Sequence, residues 1–418
     1  MPASRTRFGV ILFAVTLGII TYIDRVCISK VSGPMRAELG LNDIQWGYVL
    51  GAFTLAYALF EIPGGWMGDR YGPRRVLLRV VTFWSLFTAL TGVAWGFWSL
   101  IIFRFLFGAG EAGAFPNITK MFTLWLPKSE RSMAQGITWM CARWGGAFTP
   151  LLVVAVMQWL GWRAAFWAFG VLGIIWVAAF GRWFRDNPKD HPKVNAAELS
   201  LLAGNEKNID SHSQVPWKRL LQSRTAWLLW IYYFCISYVW YFYVTWLPKY
   251  LDEGLKLKGV ESAALNSLPL LLGGVGCFAG GVIASSLSRK VGGLGTARRI
   301  VGVVGMLMAG GFLAYAMTLR DATWIMIAMG MSGFFNDLSM PGAWGACMDV
   351  GGKHAGSLAG SMNMMGNFGG AVSPVVTGYL LTWTNQNWTV PLLVAAGTYL
   401  ISAACWLFID PVTPIEAD

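Results

Sequence analysis

Charge is scarce in this chain: only 13% of its 418 residues are Asp, Glu, Lys or Arg. A soluble domain, whose surface must be wetted, carries about a quarter, so a water-exposed globule is excluded. Histidine is scarcer still, with His191, His212 and His354 alone, all in polar stretches between apolar runs. No nucleophile–base pair, metal cluster or phosphate-binding glycine loop can be assembled, so no enzyme activity, metal or cofactor is expected. The six cysteines (Cys27, Cys141, Cys235, Cys277, Cys347 and Cys405) lie in or beside apolar runs, without C-x-x-C spacing. They read as small buried hydrophobes, which supports neither a disulfide framework nor a zinc site.

What the chain has is apolar length. With 56% hydrophobic residues, it divides into segments of roughly 20 residues, enough to cross a bilayer. These are 8–30, 46–66, 75–95, 98–121, 132–158 and 164–183, then 224–247, 263–287, 298–318, 323–346, 356–381 and 389–409. One long hydrophilic stretch separates them. The expectation is an all-α integral membrane protein of 12 transmembrane helices in two six-helix bundles, 1–184 and 224–418, joined by a linker at 185–223. The start, with Arg5 and Arg7 leading into a run that contains Asp24-Arg25, reads as a retained first helix rather than a cleaved signal. The net charge of +11 would suggest nucleic acid in a soluble protein. Here the basic residues sit in short loops, the pattern that orients a membrane protein, and no nucleic-acid partner is expected. Arg5/Arg7, Arg70/Arg74/Arg75, Lys128/Arg131, the linker, Arg289/Lys290/Arg298/Arg299 and Lys353 share one side. The opposite loops hold Lys30, Arg36, Arg163, Lys249/Lys256/Lys258 and Arg320. A multi-pass protein of the cell (inner) membrane with both termini cytoplasmic follows, and the length suits a monomer.

Between spans two and three lies Gly65-Trp-Met-Gly-Asp69-Arg70-Tyr-Gly72-Pro-Arg74-Arg75. Its glycines permit close helix approach, Asp69 can cap a helix or pair with a base, and the arginines hold the cytoplasmic face. Such a latch would stabilise one state of a rocking transporter. The segment resembles the G-x-x-x-D-[RK]-x-G-x-[RK]-[RK] signature of the major facilitator superfamily, which implies the major facilitator fold. A weaker echo, Gly281 through Arg289/Lys290 and Arg298/Arg299, lacks the aspartate.

An ionisable group near the bilayer centre costs several kcal/mol unless paired or wetted, so each is a functional candidate. Span one holds Tyr22, Asp24 and Arg25; the first and last share a face and Asp24 points elsewhere. Span four holds Arg104 and Glu111 on nearly one stripe, with Gly108 and Gly110 expected to leave open space. Arginines would attract an anion, bidentately if it is a carboxylate, and the acids could carry protons as the coupling ion. Simple structural ion pairs, Asp24–Arg25 or Arg104–Glu111, are the competing reading. Arg143 is either a third anion contact or a snorkelling residue. Asp337, beside Asn336, is either a ligand or the cap of a helix break before Pro341. Asn363 and Asn367 face one way on span eleven, suited to substrate hydroxyls or to helix–helix glue. Tyr57, Tyr241, Tyr243, Trp246 and Trp344 fit packing at least as well as a site, and Glu61 fits a structural role near the latch.

Tyr22-Ile-Asp24-Arg25, Ile62-Pro-Gly-Gly-Trp66, Arg104-(x6)-Glu111-Ala-x-Ala-Phe-Pro116 and Asp186-Asn-Pro-Lys-Asp-His-Pro192 resemble the anion:cation symporter family over essentially the whole chain. That family includes bacterial galactonate, glucarate, hexuronate and phthalate transporters, with sialin and vesicular glutamate transporters among its animal members. The resemblance implies proton coupling at Asp24 and Glu111, anion binding at Arg25 and Arg104, and substrate contacts at Tyr22, Tyr57, Trp344 and Asn363. There are departures from the galactonate type. Ala142 and Arg143 replace a glutamine region, Pro341, Gly342 and Ala343 replace small hydroxyl residues, and Asp337 replaces an asparagine. The expected function is proton-coupled import of a small organic anion, such as a hexuronate, aldonate or aldarate, by alternating access. The alternatives are an aromatic or dicarboxylic acid as substrate, or a proton-driven efflux antiporter. The last is disfavoured because span five reads Trp144-Gly-Gly-Ala-Phe-Thr-Pro150 rather than a G-P-x-x-G-G-like signature.

Overall fold

The computed structural model describes residues 2–203, 205, 215–257 and 264–415. His212 and Lys258 lie outside them, as does part of the linker. The described residues form helices and turns, without strands. Each expected span appears as a helix. The first six are Thr6–Lys30, Asp43–Tyr71, Pro73–Thr91, Phe97–Trp125 and the two parts of Lys128–Trp183. The second six are Arg224–Thr245, Leu268–Leu287, Leu294–Ala316, Ala322–Gly351, Ala355–Trp383 and Thr389–Phe408. Among the described residues, eight helices are long and apolar enough by themselves to cross a membrane. The others are spans three, five, ten and eleven, whose arginines or Gly, Ser and Asn residues lower their hydropathy. A chain that buries those residues against other helices can still cross there.

Local chemistry sets the helix ends. Asn42 Oδ1 accepts from Gln45 N at 2.8 Å and Gln45 Oε1 accepts from Asn42 N at 3.1 Å, a reciprocal cap that starts span two. Gly161, at φ 78°, breaks Lys128–Trp183 and so separates spans five and six; an L side chain would be strained there. Span ten runs through Pro341 as continuous helix. The helix break offered as one reading of Asp337 is therefore absent, and Asp337 lies inside the helix. Proline removes one internal hydrogen bond, and helix interiors in a membrane tolerate this where neighbours compensate.

The chain divides into two compact units: Met1–Lys128, Cys141–Val215 and Gly351–Ser361 in the first; Ser129–Met140, Pro216–Val350 and Met362–Asp418 in the second. In the first, span four packs along spans two and three. A Cβ on Gly64 would fall 2.5 Å from the Gly113 Cα, so glycine lets these backbones touch. Gly108 and Gly110 serve the same end. A Cβ would meet Phe53 O at 2.5 Å or the Phe83 ring at 2.7 Å. The expectation of open space beside them is thus corrected: these glycines are filled by neighbouring helices.

In the second unit Gly273, Gly276 and Gly280 form a stripe against span ten, where added Cβ atoms would crowd Asp337 and overlap Phe334 O and Leu338 O. In lipid, close packing of this kind replaces the hydrophobic drive that water supplies to soluble bundles. Gly280→Val should destabilise the protein by on the order of 1–3 kcal/mol through overpacking. Gly397, with nothing within 4 Å of an added Cβ, should accept alanine without loss. Melting in detergent, followed by fluorescence-detected size exclusion, compares the two; equal midpoints would overturn the assignment of Gly280 as a contact residue.

Candidate functional site

A cluster of buried charges on spans one and four lies in the first unit. Arg25 Nε donates to Glu111 Oε1 at 2.6 Å, and Glu111 is fully buried. This pair crosses from span one to span four. It differs from both structural pairs that spacing suggested, because the helices bring together residues 86 positions apart. The Arg25 guanidinium stands 4.3 Å over the Tyr57 ring and 5.8 Å over Tyr22. Tyr22 in turn accepts from Arg143 Nη1 at 3.3 Å, so Arg143 belongs to the same cluster. Arg104 is buried at 2% exposure, 4.4 Å over Phe107 and 5.0 Å over Phe53. Among the described residues Arg104 makes no ion pair, and its Nε has no hydrogen-bond partner. Asp24 is also buried at 2%, and both carboxyl oxygens lack hydrogen bonds. It lies on the side of Trp84 and Cys27, turned from the Tyr22–Arg25 face as the helical spacing requires.

The candidates of the second unit form a separate group. Trp344 is fully buried between Trp139, with centroids 5.5 Å apart, and Tyr233, edge-on at 5.7 Å. Asp337 is buried and accepts from Asn336 Nδ2 at 2.8 Å. Asn367 donates to the Asn363 carbonyl at 3.1 Å, a contact within span eleven. The Tyr241 ring packs where Gly370 leaves room.

The motif after span two is a clasp. Asp69 accepts from Gly356 N at 3.0 Å, Ser357 N at 2.7 Å and Ser357 Oγ at 2.7 Å. It therefore caps the first turn of Ala355–Trp383, where amide hydrogens have no helical acceptor. Lys120 Nζ lies 3.4 Å from Asp69 Oδ1 and donates to Lys353 O at 2.5 Å. A Cβ on Gly65 would overlap Gly356 O, and Gly72 turns the chain at φ 84°. Arg70 lies over Trp66 and Tyr71 at 5.3 and 5.5 Å. Arg74 donates to Gly181 O at 2.6 Å and Phe184 O at 2.8 Å, and its backbone N–H to Asp186 Oδ1 at 2.8 Å. Arg75 adds its charge near the same aspartate.

Sequence reasoning missed three partners. Lys120 is a buried cation in span four, a signal equal to that of Arg104. Asp349 receives Arg131 at 2.5 Å and Arg298 at 2.7 Å. It thereby supplies the acid that the echo of the motif lacks locally. Trp139 carries no charge, so nothing in a helical apolar run marked it.

The family model of the Major Facilitator Superfamily matches residues 14–374 and again 297–418. The chain belongs to the Major Facilitator Superfamily. It is a membrane transporter rather than an enzyme. It is 36% identical over 416 residues to the probable sulfoacetate transporter SauU of Cupriavidus necator, covering 99% of this chain and 96% of that protein. It is 32% identical to the probable galactarate/D-glucarate transporter GudP of Escherichia coli, over 92% of this chain and 89% of the relative. The hexuronate transporter of Bacillus subtilis is 27% identical, over 98% and 96%. The resemblance to sugar-acid and related anion transporters stands. Among solved structures, the proton:xylose symporter XylE shares the fold at a TM-score of 0.76, with 14% identity and 98% of both chains covered.

Burial pushes the Asp186 carboxyl up to about 6, against the opposing pull of the Arg74 amide and the Arg74 and Arg75 charges. Such an aspartate keeps its proton in the fold where the unfolded chain has released it. Its contribution to stability therefore falls as pH rises from about 4 to about 6. Asp186→Asn, which keeps an acceptor for Arg74 N, should flatten that fall and leave the protein at least as stable at pH 7.5. Melting midpoints measured from pH 4.5 to 7.5 check this; an unchanged pH slope in the variant removes Asp186 as its source.

Proposed function

We propose that this transporter is a proton-coupled symporter that imports a small organic anion by alternating access. The observation that carries the reading is the buried Arg25–Glu111 pair beside Arg104. An anion that reaches Arg25 must compete with Glu111 for the same guanidinium. Protonating Glu111 frees Arg25, so proton and anion favour each other's binding, which is the thermodynamic requirement of symport. Arg104, with ring faces and no close ion pair among the described residues, is suited to hold the anion's charge. Asp24 is the second proton carrier, and Tyr22 and Tyr57 frame the guanidinium. Discrimination among anions is assigned to Trp344, Asn363 and Asn367. Orientation follows the basic loops: an inner-membrane monomer with both termini in the cytoplasm.

On substrate, relatives named for sulfoacetate, galactarate/D-glucarate and hexuronate support an acid of this size. A doubly charged anion, such as an aldarate or a sulfonated carboxylate, is favoured over a singly charged uronate. Arg143 lies within 3.3 Å of Tyr22 and brings a third cation to the cluster.

Uptake of sulfoacetate, D-glucarate and D-galacturonate into proteoliposomes, with an inward proton gradient, tests the assignment. Accumulation that collapses with a protonophore is expected for at least one of them. Glu111→Gln should abolish uphill uptake and retain exchange, and Arg104→Ala should weaken binding by roughly a hundredfold, since a charge-assisted contact contributes about 3 kcal/mol. Proton efflux on adding substrate would indicate an antiporter, and full concentrative uptake by the Glu111 variant would remove that residue from coupling.

A further inference from the structure

The second unit carries a groove of about 510 Å³ between the C-terminal ends of spans seven and eleven. One wall is Trp246, whose Nε1 donates to Pro374 O at 3.2 Å and whose ring packs 6.1 Å from that of Trp388. The other wall is span eleven, where Val375, Tyr379 and Trp383 recur every four residues and so share one face. All three are more than half exposed, and the Tyr379 and Trp383 rings lie 5.5 Å apart. On a membrane helix an exposed apolar face meets acyl chains, and tryptophan and tyrosine near its end mark the headgroup level.

At that level the groove turns polar. Among the described residues that line it, Lys249 carries the one charge. Its Nζ lies 3.6 Å from Glu253 Oε2 and 5.3 Å over the Trp246 ring, and both members of the pair are exposed. A cation and an anion therefore stand side by side at the mouth of the groove. Glu253 belongs to Tyr250–Gly254, a single turn of π-helix, a geometry that recurs at functional sites. Across the groove, Gln386 holds φ 63° and its neighbour Asn385 φ 51°. Left-handed backbone is costly for a residue other than glycine, and such positions cluster at ligand clamps.

We propose that this groove seats a phosphatidylethanolamine, with its headgroup at Lys249 and Glu253 and an acyl chain along the Val375–Tyr379–Trp383 face. Lys249 takes the phosphate and Glu253 takes the ammonium. Charge complementarity selects this headgroup. A purely anionic one would answer Lys249 but meet Glu253, and Asp252 beside it in the chain, with like charge. A choline headgroup carries a cation without an N–H to donate to Glu253. Phosphoethanolamine supplies an acceptor for the lysine and a charged donor for the glutamate, the pairing that makes strong hydrogen bonds. An exposed lysine–glutamate pair contributes little by itself, so a headgroup that answers both ends loses little by entering between them. The site involves no residue of the Arg25–Glu111 cluster and stands independently of the symport reading.

Native mass spectrometry of the full-length protein in mild detergent tests this. Palmitoyl-oleoyl phosphatidylethanolamine, phosphatidylcholine and phosphatidylglycerol are titrated in turn. The first should bind about tenfold more tightly than the other two, the scale of one charge-assisted contact. Lys249→Gln should remove that margin, and Glu253→Gln should erase it against phosphatidylglycerol in particular. Thr382→Trp fills the groove from an exposed position and should displace the lipid. Arg320→Gln, at an exposed position outside the groove, should keep the parent's preference. Melting midpoints equal to the parent's show that the variants are folded. Equal binding of the three lipids, tighter binding of phosphatidylglycerol or phosphatidylcholine, or a preference that survives Lys249→Gln and Thr382→Trp overturns the site.

Discussion

Inside a bilayer a charge has no water to fall back on, and that constraint organises both units. Among the described residues, the buried ion pairs join different helices: Arg25 with Glu111, Asp69 with Lys120 and a helix amino end, Asp349 with Arg131 and Arg298. Removing one member of such a pair leaves an uncompensated charge and costs about 3–5 kcal/mol. These contacts therefore fix which helices are neighbours more firmly than the apolar packing around them. Glycine is the complementary device. Gly65, Gly64 and the Gly273/Gly276/Gly280 stripe bring backbones close enough for short side chains to reach across.

Two buried charges stand apart from this pattern. Arg104 and Asp24 are as deeply buried as the paired groups, yet the first packs against aromatic faces without a close ion pair and the second has oxygens without hydrogen bonds. In the symport cycle proposed above, the partners of these two groups are the proton and the anion that pass through. The Arg25–Glu111 pair lies between the two classes: it is closed here, and the proposed cycle opens it by a proton on one side or an anion on the other. The Asp69 clasp works on the same principle at a helix end. Its hydrogen bonds are short, buried and all made by one carboxylate, so they form or release together.

Much of this was readable from spacing alone. Apolar runs of the right length located every span, and a lone charge in such a run marked Asp24, Arg25, Arg104 and Glu111. The signature after span two marked Asp69. Pairing was not readable. The choice of Arg25 over Arg104 as the hydrogen-bonded partner of Glu111 depends on which face of span one meets span four, and spacing within one helix does not carry that. Gly108 and Gly110 illustrate the same gap, since a glycine in a helix signals either space or contact, and only the neighbouring Phe53 and Phe83 decide. Pro341 suggested a break that its surroundings do not allow.

The sequence by itself determined twelve membrane helices, two sets of six, a family and a set of ionisable candidates, because hydropathy and charge are properties of single residues in lipid. The tertiary structure decided the counter-ions: Lys120 for Asp69, Asp349 for Arg131 and Arg298, Glu111 for Arg25. It also placed Asp24 beside Trp84 of span three rather than against its neighbour Arg25. The physical reason is range. Burial acts on each side chain where it stands, whereas an ion pair or a hydrogen bond holds only within a few ångströms, and helix packing alone sets those distances.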